Sequence, residues 1–220
     1  MEINIKIADQ YRKIDLNKIA LCAIDVQNDF IDGALGSAEA QKAVEVIEKI
    51  ADVDFGYNFF TFFDTHYENT YLRSLEGHYL SIPHCIRETD GWYMPDSLEK
   101  KFNSKDRVFF EKGSFGSLSL AETLETFYWA GLIDCAIFVG FCSDICVISN
   151  ILMAKTYVPN LPIIVIEDGC AGVTPELHQA ALKIMNSCQV EIVKSKNFLN
   201  NISDEWLKNW IAKKVEDNAI

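Results

Sequence analysis

Six short apolar runs punctuate the chain, at residues 18–26 (KIALCAIDV), 57–63 (YNFFTFF), 105–110 (KDRVFF), 136–141 (AIFVGF), 162–166 (PIIVI) and 189–193 (QVEIV). Each has the length of a strand and is too short for a core helix. Most are continuously apolar rather than alternating, which is the pattern of strands covered on both faces. Between them the apolar period changes to that of a helix. Ala40, Ala43, Val44, Ile47 and Ile50 fall on one face of a segment from Ser37 to about Asp52. Further helical segments are read from Ser117 to Trp129, behind Ser143, and from Pro175 to about Ser187. A last one, from Asp204 to Val215, carries Trp206, Leu207, Trp210 and Ile211 on one face. Strand–helix alternation of this kind predicts a parallel sheet with helices on both sides. The expectation is therefore an α/β protein, a three-layer α/β/α sandwich of Rossmann-like type around a central six-stranded parallel sheet. No repeat or linker interrupts residues 1–220, so a single domain is expected. Residues 1–17 are mixed in character and are expected to lie over the surface.

With 49% apolar residues, the 220-residue chain can fill a full core. Its net charge of −12 disfavours nucleic acid and anionic membrane surfaces as partners. It does not exclude a small anion, because a site has its own local field. There are seven cysteines, at 22, 85, 135, 142, 146, 170 and 188; the number is odd and no CxxC pair occurs. That usage fits free thiols in a reducing compartment. The N-terminal MEINIKIADQYRK has no apolar core of signal length, and no apolar run approaches the ~20 residues of a membrane span. A soluble cytoplasmic protein is the expectation.

One stretch concentrates the chemistry: DCAIFVGFCSDICVISNILMAK, from Asp134 to Lys155. It reads as strand, tight turn, helix, with Ser143 as the helix N-cap and Ile145, Ile148, Ile151 and Leu152 at helical spacing. Cys146 falls in the first turn, where unpaired N–H groups and the positive end of the helix dipole favour a thiolate. Cys146 is thus a candidate nucleophile; a small buried core residue is the alternative. Asp25 and Lys112 likewise stand at or just past the ends of predicted strands. In a parallel sheet those C-terminal ends share one edge, so an acid, a cation and a thiol converge by topology. The acid can take the thiol's proton and the lysine can hold the resulting anion.

The long segment at residues 64–96 shows little periodicity, and a loop of that length in a compact domain is usually functional. It holds three of the four histidines together with Asp64, Glu68 and Glu76. Asp64, His66, His84 and a glutamate make a plausible set for zinc, iron or manganese.

Taken in order, these motifs resemble those of the isochorismatase-like cysteine hydrolases, and among them the nicotinamidase-related branch. The likeness runs from about Leu21 to Val193. DVQNDF (25–30) looks like the motif with the catalytic Asp, EKGSFGS (111–117) the motif with the Lys, and VGFCSDICV (139–147) the motif with the Cys. DTH (64–66) and IPHC (82–85) look like the metal-binding stretches. The resemblance implies a catalytic triad of Asp25, Lys112 and Cys146. It implies a cis peptide at Phe141–Cys142, with the N–H groups of Cys142 and Cys146 directed at an oxyanion. It implies a divalent metal, zinc first with manganese or iron as alternatives, held by Asp64, His66, Glu76 and His84. His78 competes with Glu76 for the extra-ligand role. Phe30 and Phe115 are implied as pocket walls. The position three before His84, usually aromatic in nicotinamidases, is Ser81, with Tyr79 or Trp92 as candidate replacements. The implied activity is hydrolysis of a small carboxamide through a thioester, nicotinamide being the first choice. Alternatives are an N-carbamoyl or vinyl-ether substrate, or a non-catalytic binding protein. A homo-oligomer, dimer or tetramer, is also implied.

Overall fold

The computed structural model describes residues 2–8, 10–55, 59–103 and 107–202. The secondary structure, in chain order, is β1 (Glu2–Ile7), β2 (Gln10–Asp15), β3 (Ile19–Ile24), α1 (Asn28–Ile31), α2 (Ala38–Ala51), β4 (Phe59–Asp64), α3 (Leu75–Tyr79), α4 (Asp96–Asn103), β5 (Arg107–Lys112), α5 (Leu118–Trp129), β6 (Cys135–Phe141), α6 (Ile148–Tyr157), β7 (Ile163–Ala171), α7 (Pro175–Ser187) and β8 (Glu191–Val193). β3 to β8 form the six-stranded sheet, in the order β5-β4-β3-β6-β7-β8, with every neighbouring pair parallel. The strand order reverses on either side of β3 and β6, so the crevice between their C-terminal ends is the place where an open α/β sheet takes a ligand.

Alternate residues of the central strands feed two separate cores. Leu21 and Ala23 of β3 and Ile137 and Val139 of β6 point to the side covered by α2, α4 and Phe198. Cys22 and Ile24 of β3 and Ala136 and Phe138 of β6 point to the side covered by α5, α6 and α7. This two-sided burial is what the continuous apolar runs predict. Side-chain caps start three of the long helices: Ser37 on α2, Ser117 on α5 and Thr174 on α7, the last followed by Pro175.

Several boundaries differ from the sequence reading. Residues 2–15 do not simply lie over the surface. They form an antiparallel hairpin, β1 with β2, that buries Ile3, Ile5 and Ile14 in the α2-side core. The Ala8 N–H at its turn donates to Glu191 of β8 at 2.8 Å. β5 runs to Lys112, so Glu111 and Lys112 are strand residues rather than its sequel. β7 continues through Glu167 to Ala171, beyond the run at 162–166 that marks it in the sequence. Ser143 does not cap a helix: the chain enters through Cys142 into a wide turn of π type, Ser143–Val147, which leads into α6. The helix read at 204–215 lies outside the described residues. Among the described residues no helix is long and apolar enough to cross a membrane.

Candidate active site

The C-terminal ends of β3, β5 and β6 bring Asp25, Lys112 and Cys146 together. Asp25 follows the last residue of β3 in a left-handed backbone conformation (φ 51°), which turns its side chain under the sheet edge rather than out to solvent. Lys112 ends β5, and Cys146 sits within the π turn after β6. The Lys112 ammonium lies 2.7 Å from Asp25 Oδ2, 3.5 Å from Asp64 Oδ1 and 3.6 Å from Cys146 Sγ. It also donates to the Ser114 carbonyl at 3.0 Å. The Lys112–Asp25 contact is a buried ion pair at hydrogen-bonding distance. Both groups are buried, so the charge of each is compensated chiefly by the other.

Burial sets the protonation states. It pushes the Asp25 carboxyl up to about 7, against the lowering effect of the Lys112 charge. It pushes the Cys146 thiol well above its ordinary range, with Asp25 adding to the effect and Lys112 opposing it. The resting sulfur is therefore a thiol, not the thiolate that a helix-terminal position alone suggests. Desolvation of this buried residue is the largest cause. Lys112 stays charged: burial alone lowers its pKa, but Asp25, Cys146 and Asp64 together raise it.

A second cluster adjoins the first. One ligand atom each from Asp64, His66, Glu76 and His84 lies within 4.8 Å of the others. Asp64 Oδ2 is 3.0 Å from His66 Nε2 and 3.4 Å from His84 Nε2, and Glu76 Oε1 is 3.7 and 3.6 Å from the same two nitrogens. His84 Nδ1 is 3.0 Å from the Ile82 carbonyl, an acceptor only, so Nδ1 carries a proton. In the neutral imidazole its Nε2 then presents a lone pair to two carboxylate oxygens, an arrangement that a cation between them reconciles. Two imidazoles and two carboxylates suit zinc, manganese or iron. Burial would raise the Asp64 pKa, but the two histidines and Lys112 hold it below the ordinary carboxylate range. His78 is exposed and stands apart from the cluster, so Glu76 is the residue of α3 that faces it.

The two clusters meet at a cavity of about 780 Å³. Cys146, Asp64, Glu76 and His84 line it, while Asp25 and Lys112 do not and reach the sulfur from outside the cavity wall. Phe30 and Phe115 line it, as do Phe141 and Cys142, whose connecting peptide is cis. Ser81 does not. Its hydroxyl turns back to the Gly77 carbonyl at 3.3 Å. Of the two candidate replacements, Tyr79 lines the cavity, whereas Trp92 is buried against Phe63 and donates to Thr65 Oγ1 at 2.9 Å.

Supporting residues not singled out by sequence are polar side chains in apolar surroundings. Gln27 Nε2 donates to the carbonyls of Asp64 and Trp92, and its Oε1 accepts from the Asp64 N–H, fixing the end of β4. Asn150 donates to the Cys146 carbonyl at 2.8 Å and to that of Phe115 at 3.1 Å, and accepts from the Ser117 N–H. It ties the Lys112 loop to the Cys146 turn. Asp29 accepts from the Cys85 N–H at 2.7 Å, next to His84. The available signals are the place of Gln27 and Asp29 within DVQNDF and the isolated Asn between Ile148 and Ile151.

The isochorismatase domain matches residues 19–197. The chain belongs to the isochorismatase family. No curated protein sequence matches it. Among solved structures, this isochorismatase-family chain is similar to the pyrazinamidase/nicotinamidase of Streptococcus mutans UA159, with 26% identity, a TM-score of 0.66, and 80% of this chain and 99% of that one covered. It is similar to nicotinamidase PncA of Bacillus subtilis at 24% identity and a TM-score of 0.67, again over 80% and 99% of the two chains. The pyrazinamidase of Pyrococcus horikoshii, solved in complex with zinc, has 21% identity and a TM-score of 0.63, over 80% of this chain and 99% of that one.

Proposed function

We propose that the protein is a cysteine-dependent hydrolase of a carboxamide, cleaving the C–N bond to give a carboxylic acid and ammonia, with nicotinamide as the reference substrate. The observation that carries this is the position of the Cys146 thiol: on the wall of the cavity, with Asp25 and Lys112 behind it and the four-residue metal set beside it. The likeness to solved nicotinamidases supports the same reaction.

In this reading Asp25 accepts the thiol proton as the Cys146 sulfur bonds to the amide carbon. Backbone N–H groups of Cys142 and Cys146 receive the negative oxygen, each such donor contributing about 3–4 kcal/mol to lowering the barrier. The C–N bond breaks as Asp25 returns the proton to the nitrogen, and ammonia leaves. Water then adds to the thioester with Asp25 as base, releasing the acid and restoring the thiol. Lys112 keeps Asp25 oriented and offsets the charge that passes between oxygen and sulfur. Asp64, His66, Glu76 and His84 would hold a divalent metal, zinc first with manganese or iron as alternatives. Such an ion supplies a fixed positive site for a substrate lone pair.

The vinyl-ether alternative is a dianion in isochorismate, and no Lys or Arg side chain lines the cavity among the described residues. That favours the amide over it. A cytoplasmic, single-domain homo-oligomer completes the reading. Ammonia release from nicotinamide by the purified protein, with and without added Zn or Mn, tests it. Release that depends on the metal supports it. No release from nicotinamide or from any other amide, with Cys146 unmodified after incubation, contradicts it.

A further inference from the structure

The cavity is much larger than a single-ring amide requires. At about 780 Å³ it falls in the upper part of the ~300–1,000 Å³ range that encloses drug-sized ligands. Its lining joins Cys146 and the Asp64–His84 cluster to a largely apolar wall. Four exposed apolar residues line the cavity from three separate segments. Leu75 and Tyr79 come from α3, Phe115 from the loop after β5 and Val173 from the segment after β7. These four side chains are 75%, 88%, 49% and 56% exposed, and all of them line the same cavity as the thiol. Large apolar side chains that exposed, clustered and continuous with a reactive group mark a ligand-binding surface rather than scattered surface hydrophobics. Charge points the same way. Among the described residues no lysine or arginine lines the cavity.

We infer that the preferred substrate is a neutral carboxamide carrying an extended apolar group, with the amide at Cys146 and the apolar group running out between Leu75, Tyr79, Phe115 and Val173. This rests on the amide-hydrolase reading above and specifies its substrate class. A tail in that position removes apolar surface from water on both partners, whereas a tail ending in a carboxylate would meet no cation and would face the field of a chain with net charge −12.

The test is kcat/KM of the metal-loaded enzyme for straight-chain primary amides from propionamide to octanamide, with nicotinamide and with suberamic acid, an octanamide analogue ending in a carboxylate. Each buried methylene contributes a factor of about three to four. The account predicts at least a ~100-fold rise along the series, octanamide above nicotinamide, and suberamic acid at least ~10-fold below octanamide. Val173→Asp, at the exposed mouth, is predicted to flatten the rise; if that variant does not fold, the wild-type series alone decides. A flat or falling series with measurable turnover overturns the inference while leaving amide hydrolysis intact. Absence of turnover for every amide, with no acyl adduct on Cys146, overturns the amide-hydrolase reading itself.

Discussion

Lys112 places its ammonium 2.7 Å from the Asp25 carboxylate, and both side chains are almost wholly withdrawn from solvent. The pair comes from the ends of two strands, β3 and β5, that are separated in the sheet by β4. The same ammonium reaches Asp64 at 3.5 Å and Cys146 Sγ at 3.6 Å, so one cation joins the acid, the thiol and the first residue of the metal set. A change at any of these groups is therefore felt by the others.

The acid–base role of Asp25 sets the pH dependence. Its pKa is raised to about 7 by burial, and the proposed reaction needs its ionised form. Below that value the active fraction falls about tenfold per pH unit; above it, activity levels off. A kcat/KM profile on a small amide is expected to rise with pH to a midpoint near 7, and Asp25→Asn is expected to lose at least ~100-fold at every pH.

Lys112→Met removes the charge that lowers the Asp25 pKa. The acid limb of the same profile is expected to move to higher pH by about one to three units. Folding stability is expected to fall by about 1–2 kcal/mol more at pH 8 than at pH 5, because ionising the buried Asp25 without Lys112 costs more than in the wild type. Urea unfolding at pH 8 and at pH 5 checks this. The loss shrinks at pH 5, where Asp25 of the variant is protonated and carries no charge to compensate.

The metal set links α3 to the end of β4 through Glu76 and Asp64. Prolonged chelation is expected to lower the thermal midpoint, and re-addition of one equivalent of Zn or Mn to restore it. His84→Ala is expected to lose the metal-dependent part of that midpoint, with elemental analysis falling from about one ion per chain toward zero. An unchanged midpoint on chelation and re-addition counts against a resident ion.

Gly140 illustrates how closely β6 approaches β3. Its φ is +120°, and a Cβ there would stand 2.0 Å from the Ile24 carbonyl oxygen. Both the backbone conformation and the clash with main chain oppose any side chain. Gly140→Ala is expected to cost about 3–5 kcal/mol of stability, measured by denaturant unfolding, and to reduce activity through the displaced Cys146 turn.

Much of the architecture is legible in the chain because a strand buried on both faces leaves a continuous apolar run, and a parallel sheet sends all its C-terminal ends to one edge. That logic alone brings Asp25, Lys112 and Cys146 to one place. The N-terminal hairpin escapes it, although Glu2–Ile7 alternates apolar and polar residues with Ile3 and Ile5 inward. A mixed segment hides a period of two when no turn motif marks the bend; here Ala8 makes it with φ 48°. Ser143 has the chemistry of a helix cap, but the chain turns wider than an α-helix at that point, and its hydroxyl pairs with His178 Nδ1 at 2.8 Å instead. Propensity reads the residue type, and tertiary packing of α7 decides its partner. Trp92 is a candidate wall by being aromatic and near in sequence, yet its indole is taken up by Phe63 and Thr65.

The central claim is that the Cys146 sulfur is the nucleophile, and intact-protein mass spectrometry during turnover of a carboxamide tests it most directly, alongside ammonia release by Cys146→Ala. The account predicts a transient adduct of acyl mass on Cys146 in the wild-type protein, and a variant that folds with an unchanged thermal midpoint but releases no ammonia above background. Ammonia release by Cys146→Ala at a rate near that of the wild type would contradict it.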